Sequence, residues 1–375
     1  MVKSGVIENL DISPGGGKIF VVGPFHETLN ETVDYYLNVS LILKKDEPWA
    51  KAGHEMAWEQ FSFPTSKSFK DVSEQNNVNT NIHGNIIDVK IQSVAVQFNT
   101  DKGSLTSLKW RDVELIERGM RINLWRAPTD NDDGGDRRSY GAQWRKDGLD
   151  QLAFQVKTAD VYENPSNVKI VVNGALVSPS SEIDVRTIYV VDGSGEIQVI
   201  NDVTIPERLK TVPRVGTEWL LRKDFNNVKW YGRGPHENYV DRKIGARFGV
   251  YEFPVKELYF PYVKPQENGN RCDVYWMSIT NEQHIGLLVT GEPTFEFSAT
   301  NYSLETLTQA KHTVDIVDAP YTTLNIDYRQ AGLGGDDSWN PRTHPEYQLR
   351  SGNYRFSYKI RPVDLSNNTI KELVD

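Results

Sequence analysis

Apolar and polar residues alternate along much of this chain. In SEIDVRTIYVVDGSGEIQVINDVTI (181–205) a two-residue period runs on both sides of a DGSG turn, and YRFSYKIRPV (354–363) alternates over its whole length. That period sends successive side chains to opposite faces, so each segment predicts a strand with one face buried. GKIFVVGPF, YYLNVSLILKK, NVKIVVNGALV, IGLLVTG, TFEFSAT and TTLNIDYRQ are further strand candidates. Helix signals are short: SLETLTQAK (303–311), with Ser303 placed to cap its first turn, and AQWRKDGL (142–149). Neither is long enough to form a layer, so the pattern predicts an all-β protein of packed sheets.

The alternation is interrupted once. PTSKSFKDVSEQNNVNTNIHGN (64–85) is polar and almost without apolar periodicity, which predicts a linker. It separates residues 1–63, with about four strand candidates, from a continuous β pattern over 86–364 and a short tail, 365–375. An immunoglobulin-type sandwich needs about seven strands, so residues 1–63 read as an incomplete β domain.

Composition narrows the function. The chain has 375 residues, 38% of them hydrophobic and 25% charged, enough apolar material for a large core in a soluble protein. Its 42 Lys and Arg against 51 Asp and Glu give a formal charge of −9, and no basic block gathers a polyanion, so nucleic acid is not an expected partner. A single cysteine, Cys272, excludes an intrachain disulfide and a thiolate metal cage. No secretory leader pattern and no apolar run of about 18 residues occurs. A soluble protein away from membranes is expected, cytoplasmic or periplasmic if bacterial.

Several polar segments are candidates for chemistry. RAPTDNDDGGD (126–136) places Asp130, Asp132 and Gly134 in part of a calcium-loop register, but without flanking helices, so turn-shaping is the expected role and no metal is assigned. YGRGPHENYVDR (231–242) and GLGGDDSW (332–339) are glycine-rich without completing a phosphate-binding fingerprint. His236 and Glu237 are adjacent, and both an acid/base pair and structural hydrogen bonding are open for them. The seven histidines are scattered, and neither H-E-x-x-H nor G-x-S-x-G is present. Among nine tryptophans, Trp339 follows GLGGDD, where no strand pattern runs. A flat ring on such a loop suits the C–H face of a sugar, or else anchors the loop.

Taken together and in order, LWRAPTDNDDG (124–134), YGRGPHENYVDRK (231–243), PQENGNRCDVYW (265–276), GLGGDDSWNPRTHPEYQL (332–349) and YRFSYKIRP (354–362) resemble the C-terminal region of the large β-galactosidases of glycoside hydrolase family 2. EPWAKAGHEMAWEQFSF (47–63) is similar to the end of the penultimate, immunoglobulin-like domain of that family. The resemblance covers essentially the whole chain. It implies that residues 86–364 form the terminal β-sandwich, a supersandwich of galactose-mutarotase-like fold, preceded by part of an immunoglobulin-like domain. It also implies that the catalytic barrel, with its two glutamates and its Mg and Na sites, lies outside this sequence, so no catalytic residue and no cofactor are expected here. Asn281-Glu282 and Glu346-Tyr347 match the family's catalytic dipeptides but fall within the sandwich region, and neither is read as catalytic.

The resemblance carries Trp339 over as a platform for bound sugar, with Asp336, Asp337 and Ser338 preceding it. Arg126, Asp130, His236, Glu237, Asn268, Arg271 and Asp337 are expected to line the cleft or shape its loops. The implied function is the non-catalytic portion of a β-galactosidase. Its expected partners are the catalytic barrel, in cis or as another subunit, and a β-galactoside or other carbohydrate; homo-oligomerisation stays open. Two alternatives differ in class. One is a free-standing carbohydrate-binding module, the other an aldose mutarotase with His236 and Glu237 as acid and base.

Overall fold

Strand alternation becomes sheet over most of the chain. The computed structural model describes every residue except 1, 9, 24–32, 64–75, 135–137, 338–341, 367–369, 371–372 and 374–375. It divides into two units, Met1–Ser68 and Phe69–Asp375.

In the first unit β1 (Tyr36–Ile42) and β2 (Glu55–Ser62) pair antiparallel, with a bulge at Leu41/Ile42. These are the only two strands among its described residues, against about four candidates in the sequence. Residues 17–23 of GKIFVVGPF form no strand, and Ile19 and Val21 lie 93% and 91% exposed. Alternation becomes a strand only where a partner edge accepts its hydrogen bonds.

The second unit begins within the segment expected to be a linker. Strand β3 (Asn79–His83) opens an antiparallel meander with β4 (Ile86–Ile91), β5 (Val94–Asn99), β6 (Ser104–Trp110) and β7 (Val113–Glu114). There follow β8 (Ile116–Asn123), helix α1 (Asp130–Asp133) and helix α2 (Tyr140–Lys146). Long strands succeed them: β9 (Ala153–Asn164), β10 (Asn167–Ser178), β11 (Ser181–Asp192) and β12 (Ile197–Ile205). The chain continues through β13 (Thr211–Val212), β14 (Arg214–Arg222), β15 (Asn227–Gly234), β16 (Arg247–Pro254) and β17 (Arg271–Thr280). It closes with β18 (Ile285–Thr300), α3 (Leu304–Gln309), β19 (Tyr321–Gln330), β20 (Leu349–Arg350) and β21 (Gly352–Asp364).

One branched sheet holds most of these strands, in the order β16-β15-β17-β18-β21-β12-β11-β10-β9. The branch point is β18. Its first half pairs with β21 and its second half with β19, which pairs with β14, and β14 pairs with β8. Glu292-Pro293 sits between the halves, where a residue without an N–H costs no ladder bond. The two branches face each other as layers: the Trp219 indole N–H on β14 donates to the Tyr358 hydroxyl on β21 at 3.1 Å, and Thr217 Oγ1 meets the same hydroxyl at 2.9 Å. Phe98 of the small meander packs edge-on against Tyr189 of β11, with ring centroids 5.2 Å apart. The inward faces form one continuous core that includes Ile87, Phe98, Val172, Tyr189, Trp219, Trp230, Phe297 and Ile360. The protein is therefore an all-β sandwich, and no helix among the described residues is long and apolar enough to cross a membrane.

This topology gathers three strand ends. Strands β8 and β19 both run antiparallel to β14, with Asn123 opposite Gly216 and Gln330 opposite Arg214, so they end side by side. Arg271, at the start of β17, faces Phe297 on β18, two strands from the end of β19. At the β14 bulge an added Cβ on Gly216 would lie 1.8 Å from the Asp327 carboxylate, so no larger residue fits there.

Candidate functional site

The segment after β8 is built around Arg126, which is fully buried. Its guanidinium donates to both carboxylate oxygens of Asp132, at 3.0 and 2.7 Å, and to the backbone carbonyls of Ala331 at 2.5 Å and Gly332 at 3.1 Å. Asp132 also accepts from the Thr129 N–H at 2.9 Å while Thr129 Oγ1 accepts from Asp132 N at 3.1 Å, a capping box that fixes the single turn of α1. Burial would loosen the Arg126 proton, but Asp132 outweighs it and holds the guanidinium above its ordinary pKa. Burying this pair is tolerable because the guanidinium finds four acceptor contacts.

The aspartates of RAPTDNDDGGD thus divide by role. Asp132 is buried under Arg126, whereas Asp133 pairs with Arg145 of α2 at 2.7 Å. Asp130 is exposed and exchanges two hydrogen bonds with Gln266, at 3.0 and 3.1 Å. Asp136 lies outside the described residues.

The loop after β19 is fastened at its base by three distant segments. Beyond the two carbonyls held by Arg126, Asn131 Nδ2 donates to Leu333 O at 2.8 Å. Asp241 accepts from the N–H groups of Leu333 and Gly334 at 2.9 and 2.7 Å. Gly332 donates to Tyr347 O at 2.9 Å, and a Cβ on it would lie 2.8 Å from the Asp241 carboxyl carbon. Farther along, Asp336 meets His344 Nε2 at 2.7 Å. Asp337 is exposed, and Ser338 and Trp339 lie outside the described residues. An open cavity of about 770 Å³ flanks this loop, lined among others by Tyr140, Lys210, Asp336, Arg342 and His344.

The other motifs complete the same floor. Glu267 N donates to Ala127 O at 3.0 Å, Asn268 Nδ2 to Gln266 O at 2.9 Å, and Phe260 N to Asn268 Oδ1 at 3.1 Å. Buried Arg271 donates to the carbonyls of Gly269 at 2.7 Å and Pro235 at 3.1 Å, and burial brings its pKa down to about 10. Buried Glu237 accepts from Arg242 Nη2, the Tyr262 hydroxyl and the Gly269 N–H. His236 lies at the surface; partial burial of its ring and the charges of Arg271 and Arg242 hold its pKa below the ordinary histidine value.

Of the two look-alike dipeptides, Asn281 caps the β17–β18 turn by accepting from Gln283 N and Ile285 N, at 3.1 and 3.0 Å, and Glu282 is exposed. Glu346 is exposed, 3.8 Å from His344. Among the described residues no group of three or more His, Cys, Asp or Glu is arranged to hold a metal ion.

Asp241, Asn131 and Gln266 carry much of this assembly and are not among the residues singled out in the sequence. A buried network beneath the floor was also missed. Arg214 pairs with Glu267 at 3.1 Å and Asp327 at 3.2 Å, Gln330 donates to Glu267 at 2.9 Å, and Glu296 accepts from Gln330 N at 3.1 Å and Asn270 Nδ2 at 3.0 Å. Charged residues at inward positions of strands, such as Arg214 in VPRVGTEW, were the available signal.

Burial pushes the Glu296 carboxyl above its ordinary value of 4.5. The folded protein then retains a proton that the unfolded chain releases, so this contribution to stability is full below the unfolded value and is lost as pH rises through the raised one. Glu296→Gln keeps an acceptor for Gln330 and Asn270 and should flatten that decline. Urea midpoints of variant and parent should lie close at about pH 4 and diverge in the variant's favour towards about pH 9. Parallel curves would show that Glu296 titrates normally.

Comparison with known proteins follows the same division of the chain. The family described as β-galactosidase small chain matches residues 90–360, and the one described as β-galactosidase domain 4 matches residues 1–64. A β-galactosidase of Priestia megaterium (strain DSM 319 / IMG 1521) is 34% identical over 363 residues, covering 94% of this chain and 34% of that protein. A β-galactosidase of Pseudoalteromonas haloplanktis is 34% identical over 344 residues, covering 87% and 32%. The chain spans about a third of the length of these relatives. Among solved structures, galactose 1-epimerase from Lactobacillus acidophilus NCFM is 8% identical with a TM-score of 0.41, covering 79% of this chain and 99% of that one.

Proposed function

The chain belongs to the β-galactosidase small-chain family, and from that membership we propose that it is the non-catalytic C-terminal portion of a β-galactosidase, completing an active site whose catalytic carboxylates come from a barrel in cis or on another subunit. One observation carries this reading: segments 124–134, 235–242, 265–271 and 331–334, scattered in sequence, are hydrogen-bonded into one floor that fastens the base of the loop leading to Trp339. Trp339 follows this fastened base in sequence, and a flat ring there suits the C–H face of a galactoside. Asp130, His236, Glu237, Asn268 and Arg271 then shape and edge the cleft rather than transfer protons.

Retaining hydrolysis needs two carboxyl groups about 5 Å apart, one acid and one nucleophile. Glu237 is committed to three donors, and Glu282 and Glu346 stand exposed on separate turns. The isolated chain should therefore release no chromophore from a chromogenic β-galactoside above buffer, and activity should appear when a barrel-containing portion of a related β-galactosidase is added. Turnover by the purified chain alone, abolished by Glu237→Gln or Glu346→Gln, would overturn the reading.

A further inference from the structure

Strand β8 is the outermost strand of its layer: among the described residues it pairs with β14 alone, and it lies close to β6. The two backbones meet closely at one point. Ser104 Oγ donates to Met120 O at 2.8 Å, and a Cβ on Gly119 would lie 2.2 Å from Leu105 O. Around this crossing lies a cavity of about 330 Å³, walled by Leu105, Met120 and Phe154 and bordered by Lys102, Glu117, Arg118 and Arg121.

The charges around this cavity do not cancel. Glu218, on β14 and 3% exposed, binds Nη2 of both Arg118 and Arg121, the latter at 2.9 Å. One carboxylate holds two guanidiniums, and with Lys102 and Glu117 also bordering the cavity the charges of these groups sum to one net positive charge. Arg118 Nε is moreover buried without a hydrogen-bond partner among the described residues. Crowding a second guanidinium onto a buried carboxylate costs desolvation and like-charge repulsion that neutralising Glu218 does not require. A guanidinium pair with capacity to spare beside an apolar wall is the chemistry that recognises a carboxylate on an apolar body.

We propose that the β6–β8 cavity binds a small organic monoanion, an alkyl or aryl carboxylate, with its charge on Arg118 and Arg121 and its apolar body against Leu105, Met120 and Phe154. Neither matched family description assigns a ligand here, and the site is independent of the loop that leads to Trp339.

The test is calorimetric titration of this chain with hexanoate and with hexanamide, which has a similar shape and no charge. Hexanoate should bind saturably at one site, and hexanamide about tenfold more weakly or worse, because the charge-assisted hydrogen bonds are lost. Arg121 is half exposed, at 52%, so Arg121→Gln should fold and weaken hexanoate about tenfold, with Arg121→Lys between it and the parent. A second readout does not depend on a variant. The chain has four methionines, so the Met120 methyl resonance can be assigned, and it should shift with the same saturation curve. Absence of saturable hexanoate binding, equal affinity for hexanamide, or an unmoved Met120 signal would overturn the proposal.

Discussion

Arg126→Ala should lower the unfolding free energy by about 3 to 5 kcal/mol, the range for removing one partner of a buried ion pair. The guanidinium contacts α1, Ala331 and Gly332 together, and its loss leaves the Asp132 carboxylate buried, 3% exposed, with the Thr129 N–H as its remaining partner among the described residues. It also opens a void beside Trp144, over whose ring the guanidinium sits at 5.5 Å. Arg126→Lys should fall between, since an ammonium keeps the charge but cannot span both carboxylate oxygens and two carbonyls. Removing Asp132 as well should recover part of the loss, because no unpaired charge then remains buried. Urea unfolding followed by tryptophan emission reads all four proteins. A change below about 1 kcal/mol for Arg126→Ala would mean that water, rather than this guanidinium, satisfies Asp132 in solution.

How much of this was legible in the sequence depends on the range of the interactions. Strands with strict alternation, such as β11, β12 and β21, appear where the pattern places them, because a half-buried strand writes its own period. IGLLVTG and TFEFSAT read as two strands but form one, β18, since β17 pairs with both halves, on either side of Glu292-Pro293. The second helix signal was displaced: α2 is capped by Ser139 and closed by Gly148 in the left-handed region, so it starts two residues before AQWRKDGL and ends short of it. Ser303 caps α3 as its position suggests, accepting from Thr306 N at 3.0 Å.

The site was legible as a set of motifs and not as a mechanism of assembly. Asp241 lies inside the quoted YGRGPHENYVDRK, yet nothing local marks a carboxylate whose partners, Leu333 and Gly334, are 92 and 93 residues away. The same holds for Glu267 and Arg214, whose pairing closes only when β14, β19 and the 265–270 loop come together. Trp339 lies outside the described residues, so the role proposed for it rests on the fastened base of its loop and on family membership.

That role has the largest consequence for activity. In an assembled β-galactosidase containing this chain, Trp339→Ala should raise KM for β-galactosides about fivefold or more, the equivalent of about 1 kcal/mol of stacking. The effect on kcat should be smaller, because a ring that touches substrate without donating or accepting a proton contributes little that is specific to the transition state. Stability should scarcely change, in contrast to Trp230→Ala: Trp230 is fully buried against Tyr251, Phe253 and Phe297, and its truncation should cost about 3 to 5 kcal/mol. Asp241→Asn should act through the loop. One amide oxygen can still accept from Leu333 and Gly334 but without charge assistance, so KM should rise less than for Trp339→Ala. The most direct test is steady-state kinetics of Trp339→Ala beside a thermal melt of the same protein. A raised KM at an unchanged melting temperature is the expected result, whereas an unchanged KM with a large fall in melting temperature would make Trp339 an ordinary core residue and contradict the account.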